Sequence, residues 1–266
     1  MVDQHIIQEI CRHMIQQARY YDVSLLMRTN KRFINACRGL LNDEKQRLIN
    51  QPPTLINANG EQEWHDQKGK LHRGFDLPAI ITSDGSRKWY IHGQRHRDGG
   101  LPAVENTDGS RAWFINGLAH REGDQPAMIT PNGSRFWYHN GHRHRDDDQP
   151  AAEYCNGTRA WYLNGQFHRD HDLPAVEDDG IYEWYFKGHR HRGRGLPAIT
   201  YPNGSCEWWV NGQRHRDGGL PAIDNNGGTR EWWVNGQRHR DGGCPAIEDR
   251  FGGLRMVGQW AKNPLK

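Results

Sequence analysis

Leu101-Pro102-Ala103-Val104-Glu105-Asn106-Thr107-Asp108-Gly109-Ser110-Arg111-Ala112-Trp113-Phe114-Ile115-Asn116-Gly117-Leu118-Ala119-His120-Arg121-Glu122-Gly123-Asp124 is followed by Gln125-Pro126-Ala127, and the pattern begins again. The Pro-Ala pair recurs at Pro78, Pro102, Pro126, Pro150, Pro174, Pro197, Pro221 and Pro245, in steps of 24 residues with a single step of 23. A His-Arg pair keeps time with it at His72, His96, His120, His144, His168, His191, His215 and His239, and so does a tryptophan at Trp64, Trp89, Trp113, Trp137, Trp161, Trp184, Trp208 and Trp232. Three markers in phase over eight copies define a repeat, and a repeat of this size is one supersecondary unit that buries its apolar face against its neighbours.

Two turn signals divide each copy. Asn116-Gly117, Asn140-Gly141, Asn164-Gly165, Asn211-Gly212 and Asn235-Gly236 follow the aromatic segment, while Asp84-Gly85, Asp108-Gly109, Asn132-Gly133, Asn156-Gly157 and Asn203-Gly204 precede it. Both central residues of a type I′ turn need positive φ, which Asn, Asp and Gly tolerate, so both sets predict tight hairpins. Between them lies an aromatic strand such as Arg111-Ala112-Trp113-Phe114-Ile115, and a shorter strand starts near Pro102-Ala103-Val104-Glu105. Proline cannot donate to a ladder and so belongs at the first residue of that strand. Each copy is therefore expected to supply two antiparallel strands to a continuous meander. A β-propeller is excluded by length, since its blades need about 40–45 residues.

The bulk composition agrees. Apolar residues make up 35% of the 266 and the mean hydropathy is −0.99, too polar for a thick core, yet 11 Trp, 9 Tyr and 7 Phe are too many for a solvated tail. No apolar run approaches the ~20 residues that span a bilayer, and the first ten residues lack the order of a signal peptide. Five cysteines without regular spacing point to a reducing, intracellular compartment. Residues 1–50 carry 8 Lys+Arg against 5 Asp+Glu, and residues 51–266 carry 27 of each sign.

The Trp-Tyr, Asn-Gly, His-Arg and Leu-Pro-Ala order over residues 59–249 resembles the MORN repeat, with an arginine after the histidine where the commonest form has glycine. That resemblance implies elongated, twisted single-layer sheets that bind proteins and in some cases associate with membranes. At the N-terminus, Ile6, Ile7, Ile10, Met14 and Ile15 stand at helical spacing over residues 4–18. Asp22 predicts a cap for a second helix with Val23, Leu25 and Leu26, and Asn30 for a third with Phe33, Cys37, Leu40 and Leu41. The run Ile6-Ile7-Gln8-Glu9-Ile10, Asp22-Val23-Ser24-Leu25-Leu26, Asn30-Lys31-Arg32-Phe33 resembles an F-box over residues 5–42, with Ile6-Ile7 where the family has Leu-Pro. The resemblance implies docking of a Skp-type subunit of a cullin ubiquitin ligase through Ile6, Ile7, Ile10, Met14, Val23, Leu25, Leu26 and Phe33. An amphipathic cap on the sheet is the plainer reading of the same helices. F-box modules joined to such repeats are familiar among large DNA viruses, which implies the cytoplasm or nucleus of a host cell, or a virion.

The repeated polar residues invite chemical readings. His-Arg-Asp at His96, His144, His168, His215 and His239 matches a kinase catalytic loop, but no Gly-rich loop, strand lysine or Asp-Phe-Gly accompanies it. A copy that adds two strands advances about 9–10 Å, whereas zinc draws its ligands to ~2.0–2.3 Å, so equivalent histidines cannot share a metal; they are expected to bond turn carbonyls or pack on tryptophan. The arginine ladder has an acid beside most members (Asp98, Glu122, Asp146, Asp170, Asp217, Asp241), which predicts local Arg–Asp pairs and, with zero net charge over the array, argues against nucleic acid. Trp89, Trp113, Trp137, Trp161, Trp184, Trp208 and Trp232 are expected to be structural. Their strand neighbours Tyr90, Phe114, Tyr138, Tyr162, Tyr185, Trp209 and Trp233 point the other way and form a second row, either a partner face or a row covered by the His-Arg loops.

The expected fold is mainly β, an elongated single-layer antiparallel meander of about eight 24-residue hairpin repeats behind a small three-helix N-terminal module. Its parts are 1–50, a Pro52-Pro53 linker over 51–58, the array over 59–249 and a C-terminal cap over 250–266. The expected function is a non-enzymatic protein–protein adaptor without cofactor or metal. A structural scaffold or virion component and a membrane-associated scaffold are the alternatives.

Overall fold

The computed structural model describes residues 42–250 and the strand Leu254–Arg255. The chain divides into two compact units, Met1–Arg121 and Glu122–Lys266. Both are antiparallel meanders of hairpins. In the first, the strands Leu55–Ile56, Gln62–Glu63, Ile80–Ile81, Arg87–Lys88, Val104–Glu105 and Arg111–Ala112 pair each with the next. In the second, the same alternation runs from Met128–Ile129 to Leu254–Arg255.

Each copy holds four short strands rather than the expected two. The aromatic strand bends at its tryptophan, so that Arg87–Lys88 joins the ladder while Tyr90–Ile91 pairs with Gln94–Arg95 in a hairpin of its own. The tryptophan backbone serves both sides. Trp161 N–H donates to the Ala175 carbonyl of the following copy at 2.8 Å, and its carbonyl accepts from His168 N–H at 3.1 Å. Two-residue strands suffice because one residue faces in and the other out. Ala152 opposes Ala160 while Glu153 opposes Arg159, and Ala160 opposes Val176 while Arg159 opposes Glu177. The alanines of Pro-Ala (Ala79, Ala103, Ala151, Ala175, Ala198, Ala222) are 0% exposed, beneath buried tryptophans that carry most of the apolar area.

The two turn signals separate into two geometries. At Asn116-Gly117, Asn164-Gly165, Asn211-Gly212 and Asn235-Gly236 both residues have positive φ, as a type I′ turn requires. At Asp84-Gly85 only the glycine does (φ 89°). There Gly85 N–H donates to the Thr82 carbonyl and Thr82 N–H to the Ser86 carbonyl, a type I turn closed by a left-handed glycine. Asp84 Oδ1 accepts from Ser86 N–H at 3.0 Å, and Asn132, Asn156 and Asn203 do the same for Ser134, Thr158 and Ser205. The 23-residue step is the exception that explains the rule: Asp178 pairs directly with Ile181, and Asp179-Gly180 between them (φ 43° and 78°) makes the I′ turn.

One helix, over 42–49, lies among the described residues. Arg73 Nη2 donates to the Leu48 and Ile49 carbonyls at its C-terminus, at 2.8 and 3.3 Å, where a cation also suits the helix dipole. Trp64 Nε1 donates to the Gln51 carbonyl at 3.1 Å. Residues 48–51 are thus bonded to the first copy. The three helices expected from residues 4, 22 and 30, the docking residues on them, and the C-terminal cap apart from Arg250 and Leu254–Arg255 lie outside the described residues.

Candidate interaction face

Every copy is built around an arginine laid on its tryptophan. The guanidinium carbon of Arg73, Arg97, Arg121, Arg145, Arg169, Arg192, Arg216 or Arg240 lies 3.6–3.9 Å from the ring centroid of the tryptophan eight or nine residues before it. In at least seven of the copies Nη1 also donates to the carbonyl of the proline five residues on, as Arg97 does to Pro102 at 3.1 Å. The tryptophan reaches backwards as well: Trp89, Trp137, Trp161 and Trp184 donate Nε1–H to the carbonyls of Asp76, Asp124, Asp148 and Asp172 in the preceding loop, at 2.9–3.2 Å. Those four aspartates hold left-handed backbone, φ 51–58°. Their carboxylates grip Arg97, Arg145, Arg169 and Arg192 through two oxygens each. Elsewhere glycine takes the position, and Trp113, Trp208 and Trp232 donate to Gly100, Gly195 and Gly219.

This corrects the expected local Arg–Asp pairs. The arginine partner stands 20 or 21 residues upstream, and the acid next to the arginine serves the histidine instead. His96, His144, His168, His215 and His239 each meet Asp98, Asp146, Asp170, Asp217 or Asp241 through Nε2 at 2.8–3.1 Å. On the other side, Nδ1 of His96, His168, His191 and His215 accepts the N–H of Asn116, Lys187, Asn211 and Asn235 in the next hairpin turn. An accepting Nδ1 puts the proton of the neutral ring on Nε2. His144 Nδ1 is buried without a hydrogen-bond partner. The histidines therefore tie hairpin to hairpin; the expected bond to a turn carbonyl is replaced by one from a turn N–H.

Electrostatics follow the same division. Burial opposes the charge on Arg169, but Asp148 and Glu177 outweigh it and hold the guanidinium above its ordinary range. Where glycine stands in the loop, burial leaves Arg121 and Arg216 below theirs. The hydrogen bonds and charge of Arg145, Arg169 and Arg192 hold Asp124, Asp148 and Asp172 below the usual carboxylate range.

The second aromatic row is present as a column, and it is interleaved. Arg95 lies between Tyr90 and Phe114, its guanidinium carbon 5.7 and 5.3 Å from the two rings. In the second unit Arg143 donates to the hydroxyls of Tyr138 and Tyr162, Phe167 stacks on Tyr162 at 4.4 Å and faces Tyr185 at 4.9 Å, Arg190 separates Tyr185 from Trp209, and Arg214 separates Trp209 from Trp233. Glu183, Glu207 and Glu231 fix Arg190, Arg214 and Arg238 at 2.9–3.3 Å. Phe114 and Tyr162 are buried and the other five rings half-buried. The cover comes from the residue five positions after each ring, on the return strand of the hairpin, and not from the His-Arg loops. Reading outward from the Asn-Gly turns would have found it, because Gln94-Arg95, His142-Arg143, His189-Arg190, Gln213-Arg214 and Gln237-Arg238 recur just after them.

What stays accessible is a set of apolar residues that the repeat markers did not single out. Leu173, Leu196 and Leu220 of Leu-Pro-Ala are exposed in consecutive copies of the second unit, as is Phe186. Beside Phe186 an open cleft of about 260 Å³ is lined by His171, Trp184, His191 and Arg194 among others. Among the described residues, no three or more His, Cys, Asp or Glu are placed to hold a metal ion, and no helix is long and apolar enough to cross a membrane. No protein-family model matches the chain, and no curated protein matches it.

Proposed function

We propose that the chain is a non-enzymatic interaction protein, an F-box-type adaptor whose N-terminal helices dock a Skp-type ligase subunit and whose repeats present a protein partner. The observation that supports the non-enzymatic part is the engagement of the repeated His-Arg-Asp set: apart from the buried Nδ1 of His144, its imidazoles, guanidinia and carboxylates are largely spent on one another and on turn amides. A general base or nucleophile must keep a lone pair for its substrate, and these are committed to holding hairpins together. The exposed leucines and Phe186 support a binding surface, since apolar side chains kept at the surface in a row mark interaction sites. The adaptor part rests on the F-box-like run of Ile6 to Phe33.

An affinity pull-down with the full chain, with residues 1–50 removed and with Leu25→Asp tests it. Co-purification of a Skp-type protein with the full chain, lost in both altered forms, is the expected result. Absence of association at micromolar concentration, or association indifferent to Leu25→Asp, refutes the adaptor reading.

A further inference from the structure

Five copies give the histidine Nε2–H to an aspartate two residues on. The copy at His191 does not: it reads His191-Arg192-Gly193-Arg194-Gly195 where the next reads His215-Arg216-Asp217-Gly218-Gly219. His191 is otherwise built like its fellows. Its Nδ1 accepts Asn211 N–H at 3.3 Å, which leaves the ring proton on Nε2. A Cβ added at Gly193 would meet nothing within 4 Å, and Gly193 is not among the left-handed glycines. The backbone could therefore carry the missing aspartate, and the place of its carboxylate is open.

Beside that place is the cleft of about 260 Å³, where His191, Arg194, His171 and Phe186 are among the lining residues. Arg192 is committed to Asp172, and Asp170 to His168. Asp172 is near enough to feel the charge of Arg194, but both of its oxygens are taken by Arg192. Arg194 holds φ 58° where the next copy has Gly218 at φ 75°. Lys187 adds a second cation nearby, its Nζ 5.3 Å from the Phe186 ring centroid.

We propose that this copy binds the carboxylate of an acidic residue in a partner protein segment, which accepts the Nε2–H of His191 and neutralises Arg194 in place of the absent aspartate. A carboxylate is what the other five imidazoles hold at the same nitrogen. Apolar flanking residues have somewhere to lie: Phe186 is 48% exposed, and Leu173 and Leu196, each 38% exposed, stand one and two residues along the chain from Asp172 and Arg194. The proposal rests on the interaction reading only in taking the ligand to be protein; it does not depend on the N-terminal helices.

The test uses the full chain with ¹⁵N-labelled histidine and three probes: a blocked peptide with a central aspartate flanked by leucines, its asparagine counterpart, and inorganic phosphate. The aspartate peptide should shift the His191 ring signals saturably, and the asparagine peptide should bind about ten-fold more weakly, as the loss of one charge-assisted contact implies. Gly193→Asp supplies the carboxylate internally and should abolish peptide binding while leaving the urea midpoint unchanged or raised. Arg194→Gly copies the neighbouring repeat and should weaken binding several-fold without loss of fold. Equal affinity for the two peptides, or full affinity in Gly193→Asp, overturns the proposal. Phosphate binding more tightly than the aspartate peptide, with the same sensitivity to both substitutions, overturns the assignment to a protein carboxylate. Failure to recover a ligase subunit would leave these outcomes untouched, so the two readings fail separately.

Discussion

Asp148 lets the tryptophan–arginine clamp be tested against its own natural variation. It sits in left-handed backbone at φ 52°, offers its carbonyl to Trp161 Nε1 at 2.9 Å, and grips Arg169 through both oxygens at 2.9 Å. The Arg169 side chain is 13% exposed and that of Asp148 46%. Water therefore screens the carboxylate end, and the pair contributes ~1 kcal/mol, the upper part of the range for exposed pairs. Glycine in the same conformation relieves ~1 kcal/mol of strain, whereas alanine relieves none and lacks aspartate's tolerance of the left-handed region. Asp148→Gly should thus lie within about 0.5 kcal/mol of the parent, and Asp148→Ala should lose about 1–2 kcal/mol. Long repeat arrays depart from two-state unfolding, so the assay is hydrogen exchange at Trp161 N–H, bonded to Ala175. Alanine should lower protection about tenfold and glycine hardly at all. Alanine matching or exceeding glycine would refute the reasoning, as would a loss of more than about 2 kcal/mol in the glycine form.

Other consequences are open to measurement. His72 is held below the ordinary imidazole range by burial and by His92, whose ring stacks on it at 4.4 Å, against the opposing charge of Asp66. A depressed histidine contributes stability above the unfolded value of ~6.5 that is lost as the pH falls below it; His72→Asn, which keeps an acceptor for His92 N–H, should flatten the urea midpoint between pH 7 and 5. Burial first, then Glu183 and Glu207, push Tyr185 and Tyr201 up to about 12. Their ionisation in ultraviolet titration should lag the other tyrosines, and stability should fall as the pH rises past ~10, where the unfolded chain releases those protons first. Gly180→Ala combines φ 78° with a Cβ 3.0 Å from Pro202 Cγ and should cost about 1–3 kcal/mol, read as lost hydrogen-exchange protection in its hairpin; parent-like protection would show that the two-residue turn is not the constraint that shortens its copy.

The meander was legible because three markers recur in register and because Asn-Gly is a turn signal with a physical cause. The bend at each tryptophan was not, since no residue type announces where a strand leaves one ladder for another. The Asp-Gly turns are ambiguous in sequence: Asx-Gly suits both a type I′ turn and a type I turn closed by glycine, and only the spacing of the flanking pairs separates Asp84-Gly85 from Asp179-Gly180. The arginine pairing departs from the sequence expectation for a different reason. Adjacency in sequence favours Asp170 for Arg169, but the chain turns between them, and packing of copy on copy delivers Asp148 instead. The interleaving of Tyr185 and Trp209 by Arg190 is likewise a product of stacking.

The indole of each copy points backwards along the chain, to a carbonyl of the segment before it, and in four copies the guanidinium reaches back as well. Within either unit this gives the indole contacts a direction: a newly joined hairpin finds the acceptor of its indole already in place. Trp64 and Arg73 have no earlier loop of the kind, and Gln51, Leu48 and Ile49 stand in for it. Trimming the array from its amino end beyond residue 51 should therefore injure the next hairpin by removing the acceptors of Trp64 and Arg73.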